Sequence, residues 1–360
     1  MDLLEYFQNQ KYANENYVVR KHQIPEQGDI NLYGVRGSGK TAMVLDFLEH
    51  LEEENTLYVD FDDPNMIFAT LSLDSIQSFI TLHDIKVLVL DHFQAGSLPA
   101  YPRVDRLIVV TRTKLPGGSF NPLALFPLDY EEFLAFDKTV VATNAFNHFL
   151  RSGTLPALSQ LSKSTSTAMN AFLRSRFDLN EQKLLVLLAN HHTKHLTTHQ
   201  IFTFAKERFK VSKDWLYRTI KHFKEEGVIF FIDDKYQKSG KKMLLFDFAL
   251  AKHLTTGQPF ITQFDTMVAL ALIKHNISFK TLSIHGYITH DDELIIPAPF
   301  ESEESIWAKS QKKFSLYKKH GVKKITIVTV ANSYEYQIEQ IHFEALPFYE
   351  WTVLEEEEEE

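Results

Sequence analysis

The run Gly34, Val35, Arg36, Gly37, Ser38, Gly39, Lys40 and Thr41 has the spacing G-x-x-x-x-G-K-[ST]. Phosphate chemistry explains each residue type. Glycines let the backbone curl with its N–H groups facing inward, the lysine meets the charge of the β and γ phosphates, and the hydroxyl serves Mg2+. Average residue frequencies would give such a match by chance about once in a hundred chains of this length. Gly34, Gly37, Ser38, Gly39, Lys40 and Thr41 are therefore the expected nucleotide-binding residues.

Asp91 ends an apolar run, Lys86 to Asp91, where a P-loop fold places a carboxylate to hold the metal's water shell. Thr41 and Asp91 are the expected metal residues. In many P-loop ATPases a glutamate comes next and orients the attacking water. Here it is His92, whose neutral imidazole can still accept a proton. Asp62 or Asp63, at the end of the preceding strand, could supply the carboxylate, or both could simply form a turn before Pro64. Asp91, His92 and Asp62 are the catalytic candidates, and hydrolysis stays open. Thr111, at a later strand end, is either a γ-phosphate sensor or a hydroxyl with a local task.

A second group of residues suits nucleic-acid phosphates. Lys213, Arg218, Lys221 and Lys224 recur at spacings that bring several onto one face of a helix that Ser212 can cap. Lys235, Lys238, Lys241 and Lys242 are expected at a hairpin tip, where they could also meet phosphate. The competing expectation is a solvated face on a module that packs against the rest of the protein. His191, His192, His195 and His199 lie close together, but a loop interrupts the i, i+4 spacing and no carboxylate motif accompanies them. A solvated helix end is expected there, not a metal site.

The elements that must position these groups follow from periodicity. Asp29 to Tyr33 reads as a strand leading into the glycine loop, and Ala42 to Glu53 as a helix. Thr56 to Phe61, Lys86 to Asp91 and Arg106 to Thr111 read as further strands. A helix is expected within Asn65 to Leu82. Near-continuous apolar strands alternating with helices imply an α/β doubly wound parallel sheet. Three helical segments, Asn180 to Ala189, Thr198 to Phe209 and Ser212 to Gly227, precede an apparent hairpin over Val228 to Phe248, the pattern of a winged helix. Helices over Phe264 to His275 and Trp307 to His320, with a strand over Lys324 to Val330, suggest a small third α/β domain.

The chain's 360 residues allow more than one domain. The absence of cysteine excludes disulfides, thiolate metal sites and cysteine nucleophiles. No apolar run approaches a membrane span, and the acidic start lacks the features of a secretory signal, so a cytoplasmic location is expected. The net charge of −9 argues against a uniformly basic coat, yet residues 178–252 are basic, at roughly +5. The closing run Glu355 to Glu360 is a solvated acidic tail or an appended sequence, and is set aside from the fold.

The succession Gly34 to Thr41, Tyr58-Val59-Asp60-Phe61-Asp62-Asp63-Pro64, Leu88 to Asp91, Pro127-Leu128-Asp129-Tyr130-Glu131-Glu132-Phe133-Leu134 and Phe149 to Pro156 resembles a family of bacterial and archaeal AAA-superfamily ATPases. The resemblance implies an AAA-type ATP-binding domain over 1–155, a winged helix over 178–255, a restriction-nuclease-like α/β domain over 258–353 and an acidic tail over 354–360. It implies ATP rather than GTP, with Mg2+, and no Asn-Lys-x-Asp guanine motif opposes this. A nuclease of that type needs an aspartate followed on the next strand by Glu-x-Lys. Here His290-Asp291-Asp292-Glu293 leads to Glu301-Ser302-Glu303 after Pro297 and Pro299, so cleavage is not expected. The resulting expectation is a nucleotide-dependent switch with slow or open hydrolysis. The alternative is a non-hydrolysing adaptor that holds DNA or a protein, which could be a second copy of itself.

Overall fold

The computed structural model describes residues 3–10, 17–67, 70–136, 142–159, 165–257, 259–283 and 286–354. The acidic tail Glu355 to Glu360 lies outside these, as does part of the Ser/Thr-rich stretch. The chain forms two compact units. One is residues 1–127 with 225–227; the other is 128–224 with 228 onward.

The first unit is built on a five-stranded sheet. Its strands are β1 (Ile30–Tyr33), β2 (Thr56–Asp60), β3 (Val87–Asp91), β4 (Arg106–Thr111) and β5 (Asn121–Ala124), in the order β2-β3-β4-β1-β5. Every pairing is parallel. Its helices are α1 (Leu3–Gln8), α2 (Lys40–Glu49) and α3 (Leu73–Leu82). Alternate side chains leave opposite faces of a strand, and both faces are covered. Leu57, Val59, Leu88, Leu90 and Val109 pack with Leu4, Phe7, Ile76 and Phe79. Ile30, Leu32, Val89, Ile108 and Val110 pack with Met43, Val44 and Leu48. Burial on both sides explains the near-continuous apolar strands. It is the mixed α/β arrangement of a P-loop AAA-type fold. β5 contains Pro122 and was not expected as a strand; it lies at the sheet edge, where a missing N–H is tolerated.

The second unit opens with α4 (Tyr130–Phe136), α5 (Ala142–Ser152), α6 (Pro156–Ser159) and α7 (Thr165–Arg176). Residues 128–155, expected with the nucleotide domain, group with this unit: Phe149 meets Phe248 and Phe348, and Asp247 binds Thr154. The helices α8 (Leu179–Asn190), α9 (Thr198–Arg208) and α10 (Lys213–Glu226, its last two residues grouped with the first unit) follow, with an antiparallel sheet of β6 (His195–Leu196), β8 (Lys241–Leu245) and β7 (Ile229–Ile232), in that order. Capping boxes at Asp178 and Thr197 start α8 and α9. After α11 (Phe248–His253) and α12 (Phe260–Lys274) comes a six-stranded mixed sheet. It comprises β9 (Phe279–Thr281), β10 (Tyr287–Thr289), β11 (Glu293–Pro297), β12 (Lys324–Thr329), β13 (Tyr334–Ile338) and β14 (Ile341–Pro347). Helices α13 (Glu303–Lys319) and α14 (Phe348–Leu354) complete the unit. No helix among the described residues is long and apolar enough to cross a membrane.

The β7–β8 hairpin does not carry Lys241 and Lys242 at its tip. Both open β8, and the tip, residues 233–240, is bound to β9. Thr281 donates its N–H to Asp233 O and accepts from Lys235 N, each at 2.8 Å. Asp234 Oδ2 accepts from Thr281 Oγ1 at 2.9 Å and from Ser283 N at 2.8 Å. Strand alternation then turns Lys242 inward, where its ammonium meets Asp265 at 2.6 Å and the Tyr287 hydroxyl at 2.7 Å. Lys241 pairs with Asp233 at 2.8 Å. Lys242 thus serves the fold's own carboxylate, while the Lys241–Asp233 pair lies exposed at the surface.

Candidate nucleotide-binding site

In an all-parallel sheet the carboxyl ends of the strands share one edge, where ligands of such folds bind. Here that edge gathers the loop after β1, Asp60 at the end of β2, Asp91 at the end of β3 and Thr111 at the end of β4. Asp60 and Asp91 are register partners, as are Tyr33 and Thr111.

Gly34 to Thr41 joins β1 to α2. Gly34 has φ 150°, and a Cβ there would stand 2.2 Å from Leu125 O, so only glycine lets the loop pass β5. Gly37 and Gly39 also have positive φ, 85° and 98°. Gly39 is the N-cap of α2 and has no side chain to occupy the N–H groups of the first turn. A helix start of this kind offers both N–H donors and the positive end of the helix dipole to an anion. Lys40 Nζ donates to the carbonyls of Gly34 at 2.7 Å and Val35 at 3.0 Å, spanning the loop. Thr41 lies in the same first turn. The Ser38 hydroxyl is buried with no partner among the described residues, an orphan donor within a loop built from donors.

Two arginines hold the loop from behind. Arg20, buried, donates to Ser38 O and Phe126 O, both at 2.8 Å. Arg36 grips Glu226, of the 225–227 stretch that belongs to this unit, through Nε–Oε1 at 2.6 Å and Nη2–Oε2 at 2.7 Å. Its own N–H adds a third bond at 3.2 Å. Burial alone would raise the Glu226 carboxyl, but the bond and charge of Arg36, with Arg112 behind, hold it below the usual carboxylate range.

Asp91 is fully buried. Its Oδ2 accepts from the Tyr58 hydroxyl at 2.7 Å and its Oδ1 from the His92 N–H at 2.6 Å. The Asp91 carboxylate and the Thr41 hydroxyl, at the same carboxyl edge of the sheet, are both oxygen donors, the kind that suits a hard cation such as Mg2+. His92 has φ 53°, the left-handed region. Its Nδ1 lies 2.7 Å from Asp60 Oδ1 and its Nε2 3.9 Å from Asp62 Oδ2. Burial disfavours the charged imidazole. The bond to Asp60 and the charges of Asp91, Asp60 and Asp62 outweigh it, and His92 titrates above its ordinary value.

The structure separates the other candidates. Asp63 makes the turn, accepting from Asn65 N at 2.8 Å, while Asp62 is exposed and faces His92. The Thr111 hydroxyl donates to Thr113 O at 2.7 Å and accepts from Asn31 Nδ2 at 2.9 Å, a local set of partners that any sensing role would have to share. In the second unit Lys213, Arg218, Lys221 and Lys224 are exposed along α10. His192 is not at a solvated helix end: it is buried, with Nε2 at 2.7 Å from Thr266 Oγ1. His191 stacks on Phe204, and His195 lies 3.3 Å from Thr281 Oγ1. No cluster of three metal-ligating residues occurs among the described residues. Glu301 pairs with Lys309 on α13. Arg20, Tyr58, Asp60 and Asn31 were not anticipated; a polar Asn31 inside an apolar strand was the one visible signal.

A family profile described as an AAA domain matches residues 28–97, which include the loop, Asp60, Asp91 and His92 but less than half of the chain. Over those residues the chain is similar to an AAA domain. No curated protein matches the chain. Among solved structures, the Walker-type ATPase PABY2304 of Pyrococcus abyssi is 12% identical with a TM-score of 0.39, over 63% of this chain and 90% of that one. The Aeropyrum pernix ORC1 protein, solved in complex with DNA, is 14% identical with a TM-score of 0.32, over 64% and 87%. Drosophila ORC, bound to AT-rich DNA and Cdc6, is 12% identical with a TM-score of 0.20, over 62% and 84%. Likeness at this level decides nothing about the site.

Proposed function

We propose that the chain binds ATP with Mg2+ at the carboxyl edge of the five-stranded sheet and works as a nucleotide-dependent switch with slow hydrolysis. The observation that carries this reading is the loop itself: positive-φ glycines, a helix start without a side-chain cap and the Lys40 ammonium fall within one eight-residue turn. Thr41 and Asp91 would hold the metal, which neutralises phosphate charge when bound. Gly34, Gly37, Ser38, Gly39 and Lys40 take the phosphates. Arg36 belongs to the loop and grips Glu226, so a loop movement on phosphate binding reaches residues 225–227. The choice of ATP over GTP rests on the family resemblance. Thermal unfolding with ATP, GTP or neither, each with Mg2+, tests it: ATP should raise the midpoint by several degrees and GTP by less. No shift with either nucleotide would end the reading.

A second reading, a non-hydrolysing adaptor that holds DNA, rests on α10 as the recognition helix of a winged helix. Lys213, Arg218, Lys221 and Lys224 stand exposed along it. Duplex binding that weakens with salt and falls when Lys221 and Lys224 become Ala would support this. Binding unchanged by those substitutions would refute it.

A further inference from the structure

We infer that Asp60 is the positioning residue for ATP hydrolysis, acting through His92, an inference that rests on the ATP-binding reading above. His92 stands where a carboxylate would ordinarily orient the attacking water, and an imidazole can do that only if one ring nitrogen is fixed and the other left to the water. The geometry meets the first condition. Asp60 and Asp91 end adjacent strands in register, so their carboxyl groups flank the residue that follows β3. That residue takes the left-handed backbone conformation, φ 53°, and donates its N–H to Asp91 Oδ1 at 2.6 Å. The turn carries the ring across to β2, where Nδ1 meets Asp60 Oδ1 at 2.7 Å. An ionised carboxylate only accepts, so the Nδ1 proton is the one donated. The same Asp60 oxygen also accepts the Asp62 N–H at 2.9 Å, which fixes the carboxylate that fixes the ring.

The second condition falls on Nε2. It stands 3.9 Å from Asp62 Oδ2, too far for a direct bond, and the His92 side chain keeps 24% of its surface exposed. In the step inferred, the water oxygen bonds to the γ phosphorus as the bond from phosphorus to the β,γ-bridging oxygen breaks. The electron pair of that bond leaves with ADP. Nε2 accepts one proton from the water and returns it to the released phosphate. Asp60 touches none of the reacting atoms. It sets the ring angle and keeps the Nδ1 proton in place, as the carboxylate does in other carboxylate–imidazole pairs.

The test is a double-mutant cycle on the full chain with ATP and Mg2+, reading single-turnover phosphate release and, separately, ATP affinity. Asp60→Asn should slow release at least about tenfold while leaving ATP affinity within about twofold. In a His92→Ala background, where the ring is gone, Asp60→Asn should change release by less than about twofold. Asp60→Glu carries the same test should Asp60→Asn fail to fold, and should retain part of the rate in the wild-type background. An equal loss in both backgrounds would make Asp60 merely structural and overturn the inference. So would an unaffected Asp60→Asn rate, or a wild-type chain that binds ATP and never releases phosphate. Absence of ATP binding altogether is a different failure, of the nucleotide reading itself, and removes the inference with it.

Discussion

Asp60 accepts a 2.7 Å hydrogen bond from the imidazole of His92, which follows the buried Asp91 on the neighbouring strand. The bond bears on a question raised by the sequence, where a histidine stands in a position that commonly holds glutamate. This one has a carboxylate against Nδ1, a second carboxylate accepting its N–H and an unusual backbone conformation, which costs on the order of 1 kcal/mol and persists only where the surroundings maintain it.

Gly34 is predicted to tolerate no side chain. Gly34→Ala would place Cβ against Leu125 O at 2.2 Å. It should lower stability by about 2 kcal/mol or more and weaken ATP binding as the loop leaves β5. Urea unfolding and nucleotide titration read the two effects. A variant with wild-type values in both would contradict the loop geometry.

Breaking the Arg36–Glu226 pair should be costly, because both groups are buried and removing one charge strands the other. Glu226→Gln is expected to lose about 3 kcal/mol at neutral pH. The Glu226 carboxyl is held below its usual range in the folded state. Its contribution is therefore present above the unfolded value and lost as pH falls through the folded one. The difference between wild type and variant should shrink in acid, as read by chemical denaturation across pH.

His192 gives a pH dependence in a different window. Burial, and then the charge of Lys242, push it down to about 3. With a free value of about 6.5, the unfolded chain binds the extra proton first. Stability should decline as pH falls from about 6.5 toward 3. His192→Gln should decline less over that interval. Parallel curves would contradict the buried neutral imidazole and its bonds to Thr266 and the Leu245 N–H.

Lys242 should matter to folding, not to DNA. Its ammonium bonds Asp265 and Tyr287, so Lys242→Met should cost about 2 kcal/mol by leaving the half-buried Asp265 with the Tyr287 hydroxyl but no counter-charge. Any duplex affinity should stay within about twofold. Thermal unfolding and a binding titration separate the two, and a stable variant that no longer binds duplex would restore the wing.

The phosphate loop was legible because its chemistry is local: each required residue type falls within eight positions, between an apolar run and a helical one. Asp91 was legible as the carboxylate ending a strand buried on both faces. The supports of the site were not, since Arg20 reaches Ser38 across 18 positions, Tyr58 reaches Asp91 across 33 and Asn31 reaches Thr111 across 80. Proline hid β5, although an edge strand accommodates it. The hairpin misled for a physical reason: lysines near a turn resemble a solvated tip, and only the register of β8 reveals that Lys242 faces inward. His192 misled likewise, because its burial depends on Thr266, 74 positions away.

The most direct test of the central claim is calorimetric titration of ATP, with Mg2+, into the wild-type chain and into Lys40→Ala. The account predicts saturable one-site binding by the wild type and a loss of at least about tenfold in affinity on removing the ammonium, roughly 1.4 kcal/mol. Equal affinity in the two proteins, or no heat of binding in either, would contradict it.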